Sequence, residues 1–167
     1  HAKGILRDLA ESQQRSSADY RTTLLLAVAG KHHCFWLRIG DGVLGWAEQS
    51  RFGFNWKTLG AATKGEFANQ TCFVDDNLQE GHVRYGSLQG GNLLALVAMS
   101  DGAAERFCCQ KTGQLSSLLN KWALESVSLR QLHECLSDGE LWRRSTGDDK
   151  SLALLVAPRV QSMVDML

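Results

Sequence analysis

The sequence has little of what a membrane protein, a disordered linker or a nucleic-acid-binding protein requires. Proline occurs once in 167 residues, and the longest apolar runs, such as LLALVAM, are far shorter than the ~20 residues that span a bilayer. Eighteen Lys and Arg residues balance eighteen Asp and Glu residues, so no excess of basic charge is available to neutralise phosphates. No charged-then-apolar leader opens the sequence. We therefore expect a cytoplasmic protein with no membrane and no nucleic-acid partner.

The five cysteines do not form a disulfide framework or a metal motif. They are an odd number and contain no CxxC pair. A chain of 167 residues with 44% hydrophobic residues can bury a core large enough to fold without disulfide bonds. We expect reduced structural thiols and a single domain over residues 1–167.

Apolar runs separated by glycine-containing turns predict a protein rich in buried strands. The patterning predicts strands over 22–29, 34–39, 43–48, 71–74, 82–85, 93–99 and 152–157. Helical periodicity predicts helices over 5–14, 114–124 and 128–136, with a short helical turn at 103–107. Ser128 followed by Gln131 is a capping-box pattern. The run 93–99 is apolar on both faces, so we expect it at the centre of its sheet.

The five tryptophans are interpreted as packing residues of the core or its rim. Trp56 lies in a Gly- and Asn-rich stretch, 53–61, for which no strand is predicted. It is therefore also a candidate for lining a substrate groove.

Three acidic residues occupy comparable places beside flexible glycines. Asp41 follows a predicted strand, Asp101 follows the most apolar strand, and Asp148 precedes the last one. If these strands are neighbours, the three carboxylates converge, and hard cations such as Mg²⁺ and Mn²⁺ prefer such oxygen ligands. A single Asp-Gly pair is more often an ordinary turn, so any one of them alone is weak evidence for a metal site.

The order of the motifs is more specific than any one of them. Thr-Thr-Leu-Leu-Leu-Ala-Val-Ala from Thr22 is followed by Ile-Gly-Asp-Gly around Asp41, then by Ala-Asn-Gln-Thr-Cys-Phe-Val from Ala68. Met-Ser-Asp-Gly around Asp101 and Asp-Asp-Lys-Ser-Leu from Asp148 come next. Over residues 20–157 this order resembles the PP2C family of metal-dependent serine/threonine phosphatases. The middle segment is most similar to the short bacterial branch.

The resemblance implies an α+β fold, the αββα sandwich of two mostly antiparallel sheets flanked by helices. It implies two core Mg²⁺ or Mn²⁺ ions, with Asp101 and Asp148 binding one of them and Asp41 serving a weaker third ion. Asp149, Gly102 and Gly40 would lie around these ligands. The implied reaction is hydrolysis of phosphoserine or phosphothreonine in a protein by a metal-activated water, with no protein nucleophile. A phosphorylated protein is then the substrate, and a cognate kinase is an expected counterpart.

One part of the family pattern is missing. The family's first motif, Asp-Gly-x-Gly at the end of an early strand, supplies the carboxylate that bridges the core ions, and nothing before Thr22 matches it. The chain is then a portion of a longer product, a truncated relative that binds metal poorly, or an inactive PP2C-fold binding or regulatory module. We expect the first, because a sheet with so apolar a strand needs both faces covered. The family's basic phosphate-binding residue also lacks a match, and the nearby cations are interpreted as solvated surface residues: Arg21, Lys31, Arg38 and Arg51.

Overall fold

The computed structural model describes residues 1–50, 53–60, 71–89, 93–109, 111–125, 127–143 and 145–157. Its strands are β1 (Leu24–Ala29), β2 (His33–Ile39), β3 (Val43–Ser50), β4 (Gly53–Leu59), β5 (Arg84–Gln89), β6 (Leu93–Met99) and β7 (Leu152–Val156). Its α-helices are α1 (Ala2–Ser12), α2 (Asp101–Phe107), α3 (Leu118–Glu125), α4 (Leu129–Leu136) and α5 (Gly139–Arg143). Residues 68–70 of the Ala-Asn-Gln motif and Arg51 lie outside the described residues.

The strands form two antiparallel sheets. The order is β1-β2-β5 in the three-stranded sheet and β4-β3-β6-β7 in the four-stranded sheet. β1 and β2 form the expected hairpin, in which Leu24 pairs with Ile39 and Ala29 pairs with Cys34. β6 lies between β3 and β7 and is buried along almost its whole length, as its apolar sequence predicts. The α+β fold class is therefore confirmed.

The two sheets pack face to face through alternate residues of their strands. Cys34 from β2 forms a buried cluster with Leu93 and Leu96 from β6, and Trp46 from β3 packs against this cluster. Burying these side chains between the sheets removes apolar surface from water, at roughly 25 cal/mol per Å². The sandwich is therefore held by the side chains that point inward from each pleated strand.

Helices cover the other face of the four-stranded sheet. Ala103, Ala104 and Phe107 of α2 are buried in one cluster with Val97 and Met99 of β6. Leu119 and Trp122 of α3 complete this cluster. Helix α2 is thus fixed on the sheet by its apolar face, while its first residue, Asp101, is exposed.

The outer face of the three-stranded sheet carries exposed apolar side chains. Leu26, Val28, Phe35 and Tyr85 are between 48% and 67% exposed. The strand register places them on the same face, because Val28 pairs with Phe35 and Tyr85 pairs with Leu37. Among the described helices, none is long and apolar enough to cross a membrane.

The strand predictions differ from the structure at three places. Residues 53–59 form β4, where no strand is predicted, because the Gly and Asn residues obscure an alternation of Phe54, Trp56 and Thr58 with polar residues. The run 71–74 is not a strand and makes a single bridge, between Thr22 and Val74. The predicted strand 82–85 is shifted, since β5 begins at Arg84. Helix α4 begins at the predicted capping box of Ser128 and Gln131.

The five cysteines are free, as expected, and their environments differ. Burial raises the pKa of the Cys34, Cys108 and Cys135 thiols, because burial disfavours the charged thiolate. Cys109 is exposed, and its pKa is lowered by hydrogen bonds from Thr112 and from the Lys111 backbone. At a given pH, a larger fraction of Cys109 than of Cys34, Cys108 or Cys135 is therefore in the thiolate form.

We expect iodoacetamide to alkylate Cys109 before Cys34, Cys108 or Cys135, because the thiolate is the nucleophile. The pKa of Cys109 is lowered, so its rate should reach half-maximum at a lower pH than that of an ordinary thiol. Peptide mapping by mass spectrometry after limited alkylation measures the order. The Cys109→Ser variant is the control and should lose the most rapidly alkylated site. If one thiol of this variant were still alkylated as rapidly as Cys109 is in the unmodified chain, Cys109 would not be the most reactive cysteine.

Candidate metal-binding edge

The three acidic turns lie at one edge of the four-stranded sheet. Val43 at the start of β3 pairs with Met99 at the end of β6, and Met99 pairs with Leu152 at the start of β7. Asp41 lies two residues before Val43, and Asp101 lies two residues after Met99. Asp148 lies four residues before Leu152. The strand order therefore brings the three turns to one edge of the sheet, where their side chains are exposed.

Asp101 begins helix α2 directly beyond the end of β6. Its Oδ1 accepts a hydrogen bond of 2.8 Å from the backbone N–H of Gly102. The strand before it is buried, and Ala103 and Ala104 after it are also buried, so the backbone of Asp101 is held on both sides by the core. The carboxylate itself remains in contact with solvent.

Ser100 joins the Asp101 turn to the Asp148 loop. Its Oγ donates to the Asp149 carbonyl at 3.0 Å and accepts from the Ser151 N–H at 3.0 Å. Its N–H donates to the Ser151 carbonyl at 3.0 Å. These hydrogen bonds hold the two acidic segments side by side.

Gly102 permits a closer approach of the Asp148 loop than any other residue would. A Cβ at this position would lie 2.8 Å from the Asp149 carbonyl oxygen and 3.0 Å from that of Asp148. The first distance is one that a real Cβ essentially never shows, and the second is unusually tight. The absence of a side chain at Gly102 therefore sets the distance between the two acidic segments.

We expect Gly102→Ala to destabilise the fold by about 1–3 kcal/mol, because the added methyl group overlaps backbone rather than a flexible side chain. Alanine has the higher helix propensity, but only by about 1 kcal/mol, so the clash dominates. Denaturant unfolding measures the change.

The control for this prediction is Gly4→Ala. Gly4 also lies in a helix, α1, but nothing lies within 4 Å of an added Cβ there. The Gly4→Ala substitution should leave the free energy of unfolding unchanged or raise it by up to about 1 kcal/mol. Equal effects at the two glycines would show that Gly102 is not required for close approach.

Asp41 is held in its turn by its neighbours. Its Oδ2 accepts a hydrogen bond of 2.5 Å from the Thr71 hydroxyl. Gly40 has a φ of 101°, which favours glycine, and a Cβ there would overlap the side chain of Thr23. Gly42 is close to the end of β6, since a Cβ there would lie 2.7 Å from the Met99 carbonyl oxygen. The Asp41 turn is therefore tightly packed against the strand that leads to Asp101.

Arg38 is a contributor to this edge that sequence reasoning missed. The sequence suggested a solvated surface residue, but Arg38 is half-buried and faces the other sheet. Its Nε donates to the Gly40 carbonyl and its Nη1 donates to the Gly60 carbonyl, each at 3.1 Å. Burial lowers the pKa of the Arg38 guanidinium, and the nearby Asp41 carboxylate opposes this change. Arg38 thus ties the Asp41 turn to the end of β4.

The acidic residues at the edge have the right chemistry for a hard divalent cation, since each offers exposed carboxylate oxygens. They do not form a complete ligand set by themselves. Within the described ranges, no three His, Cys, Asp or Glu side chains are grouped so that they could hold a metal ion together. In this part of the chain the three carboxylates therefore share an edge of the sheet without converging as the sequence predicted.

Comparisons with known proteins agree with this architecture. Two crystal structures of variants of a bacterial serine phosphatase are similar in fold, with TM-scores of 0.55 and 0.56. They are 13% and 12% identical to this chain over 93% of its length. The chain spans 62% and 63% of those proteins, which is less than two thirds of their length. No curated protein matches the sequence.

A comparison with protein families gives the assignment. Residues 2–141 match the family described as protein phosphatase 2C. The matched region contains Asp41 and Asp101 and ends before Asp148. Because the match covers well over half of the chain, and the fold agrees with it, this chain belongs to the protein phosphatase 2C family.

Proposed function

We propose that this chain provides the acidic edge of a phosphatase that hydrolyses phosphoserine and phosphothreonine in proteins and depends on Mg²⁺ or Mn²⁺. The observation that carries the proposal is the alignment of Val43, Met99 and Leu152, which brings three acidic turns to one edge of a sheet. Membership of the phosphatase family supports the same reaction.

Each acidic residue has a proposed role at this edge. Asp101 and Asp148 would hold one of two core ions, and the Ser100 hydrogen bonds keep their segments adjacent. Asp41 would serve a third, more weakly held ion, with its orientation set by the Thr71 hydroxyl. The bridging carboxylate expected from an Asp-Gly-x-Gly motif would complete the core pair.

When bound, the ions lower the pKa of water, orient it and neutralise charge on the transferred phosphoryl group. The residues of this chain supply fixed oxygen donors that face solvent, where a bulky phosphoprotein can reach them. Gly102 and Asp149 position the Asp101 and Asp148 donors, because the backbone of the Asp148 loop packs directly on Gly102. Gly40 positions the Asp41 turn, because it packs against Thr23. The proposed substrate is a phosphorylated protein, and a kinase that produces it is the proposed counterpart.

The test is an assay of the full-length gene product with a phosphothreonine peptide. We expect release of phosphate in the presence of Mn²⁺, none after removal of metal with EDTA, and recovery when Mn²⁺ is added back. The EDTA-treated protein should retain its unfolding transition, which separates loss of metal from loss of fold. A folded protein that releases no phosphate at any Mn²⁺ concentration would exclude the enzyme and favour an inactive binding or regulatory module.

A further inference from the structure

A cavity of about 600 Å³ that is widely open to solvent lies between β4, the end of α2 and the start of α3. Phe54 and Trp56 of β4 form one wall, Arg106 of α2 lies at a second, and Ser117 and Asn120 lie at a third. Its volume is within the range of small-molecule sites. Helix α2 begins at Asp101 and reaches the cavity at Glu105 and Arg106, roughly 6–8 Å further along the helix axis. The cavity therefore does not include the acidic residues of the edge, although α2 contributes to both.

The aromatic wall is suited to a flat ring. The Phe54 and Trp56 rings are partly exposed, and their centroids are 6.3 Å apart with planes inclined by 43°. The Trp56 Nε1 donates to the Asn120 Oδ1 at 2.7 Å, which fixes the indole between β4 and α3. A ring held in this way is pre-organised for contact with a second ring, which reduces the entropy lost on binding.

The remaining walls are suited to a polar, negatively charged group. Arg106 is exposed and offers a forked set of N–H donors, which match a carboxylate or phosphate. Glu105, the carboxylate among the lining residues, already accepts a hydrogen bond of 3.0 Å from the Thr146 N–H. Gln114 and Ser117 also line the cavity and supply further polar side chains.

We propose that this cavity binds a small molecule with an aromatic or heteroaromatic ring and one anionic group. The ring lies against Phe54 and Trp56, and the anion pairs with Arg106. Such a ligand satisfies the aromatic and the polar walls together.

The cavity is also connected to the acidic edge. Glu105 lines the cavity and holds the Thr146 N–H, two residues before Asp148. Occupation of the cavity restricts Glu105 and thereby the loop that carries Asp148. That the link regulates phosphate release rests on the proposed function. Binding of the ligand and its effect on hydrogen exchange in the Asp148 loop do not.

Binding is tested with para-fluorobenzoate, followed by fluorine NMR with this chain and no metal. We expect Arg106→Gln to weaken binding about tenfold, the size of one charge-assisted hydrogen bond. Arg130→Gln, at an exposed arginine of α4 outside the cavity lining, is the matched control and should bind as the unmodified chain does. The uncharged para-fluorobenzamide should bind weakly and equally to all three proteins. Equal affinity of para-fluorobenzoate for the two variants would overturn the site.

The link to the acidic edge is tested by amide hydrogen exchange. Saturating para-fluorobenzoate should slow exchange of the Thr146 N–H in the unmodified chain, and Glu105→Gln should reduce this protection. Unchanged exchange at Thr146 in a chain that binds the probe through Arg106 would overturn the link and leave the binding site standing. Neither measurement uses metal or a phosphorylated substrate, so failure of the proposed phosphatase would not produce these outcomes.

Discussion

Asp101→Asn is expected to lower Mn²⁺-dependent release of phosphate from a phosphothreonine peptide by about a hundredfold or more in the full-length gene product. Substitution of a residue that only supports a metal ligand lowers metal affinity or activity by about 10–100-fold. Substitution of the ligand itself should therefore lower activity by at least the upper end of this range. Asparagine retains the Oδ1 acceptor for the Gly102 N–H and removes the negative charge. The change therefore isolates the charge from the local fold.

The matched control is Asp8→Asn, an exposed aspartate on helix α1 that does not belong to the acidic edge. It removes the same charge and should leave kcat/KM unchanged. Calorimetric titration of Mn²⁺ into both variants distinguishes lost metal binding from lost chemistry. If the two variants had the same activity, Asp101 would not be a metal ligand and the proposed edge would lose its central residue.

Phe107→Ala is expected to destabilise the protein by about 3–5 kcal/mol, the range for removal of a buried phenylalanine. Phe107 is 1% exposed, and its ring centroid lies 5.1 Å from that of Trp122. Its removal leaves a cavity where α2, α3 and β6 meet. The free energy of unfolding, measured with denaturant, gives the loss directly.

Phe35→Ala is the control for this prediction. Phe35 is 59% exposed on the outer face of the three-stranded sheet. It buries less than half of its surface, so its replacement should cost no more than about 2 kcal/mol, less than the loss expected at Phe107. Similar losses in the two variants would mean that α2 is not fixed by this cluster, and Asp101 would then lack its rigid support.

Local pattern identified most of the elements. The apolar run 93–99 has side chains that only a buried strand can accommodate. The hairpin of β1 and β2 formed as its two apolar runs predict, but its outer face is exposed rather than buried. Ser128 caps α4 through contacts within four residues, so the sequence alone is sufficient to place it. β4 was missed because its period-two alternation is short and contains Gly and Asn. Within the described ranges the segment 71–74 pairs only through the bridge from Val74 to Thr22, and local pattern does not reveal such a missing partner strand.

The environment of Arg38, the position of the Asp148 loop and the cavity beside Trp56 are set by packing between segments that are distant in the sequence. Whether Arg38 is solvated or half-buried depends on Gly60, twenty-two residues away, whose carbonyl accepts its Nη1. The approach of the Asp148 loop to Gly102 depends on two segments more than forty residues apart. The cavity beside Trp56 likewise exists only because β4, α2 and α3 pack together.

The sequence by itself carried the order of acidic motifs, and the resemblance that this order carries implied the phosphatase family and its α+β fold. The number and spacing of the cysteines predicted free thiols, and apolar periodicity and turn residues predicted most of the strands. Only the tertiary structure decided that β3, β6 and β7 are neighbours in register, with Val43, Met99 and Leu152 side by side. The physical reason is that strand pairing is made by backbone hydrogen bonds between distant segments, and the same apolar pattern is compatible with several strand orders.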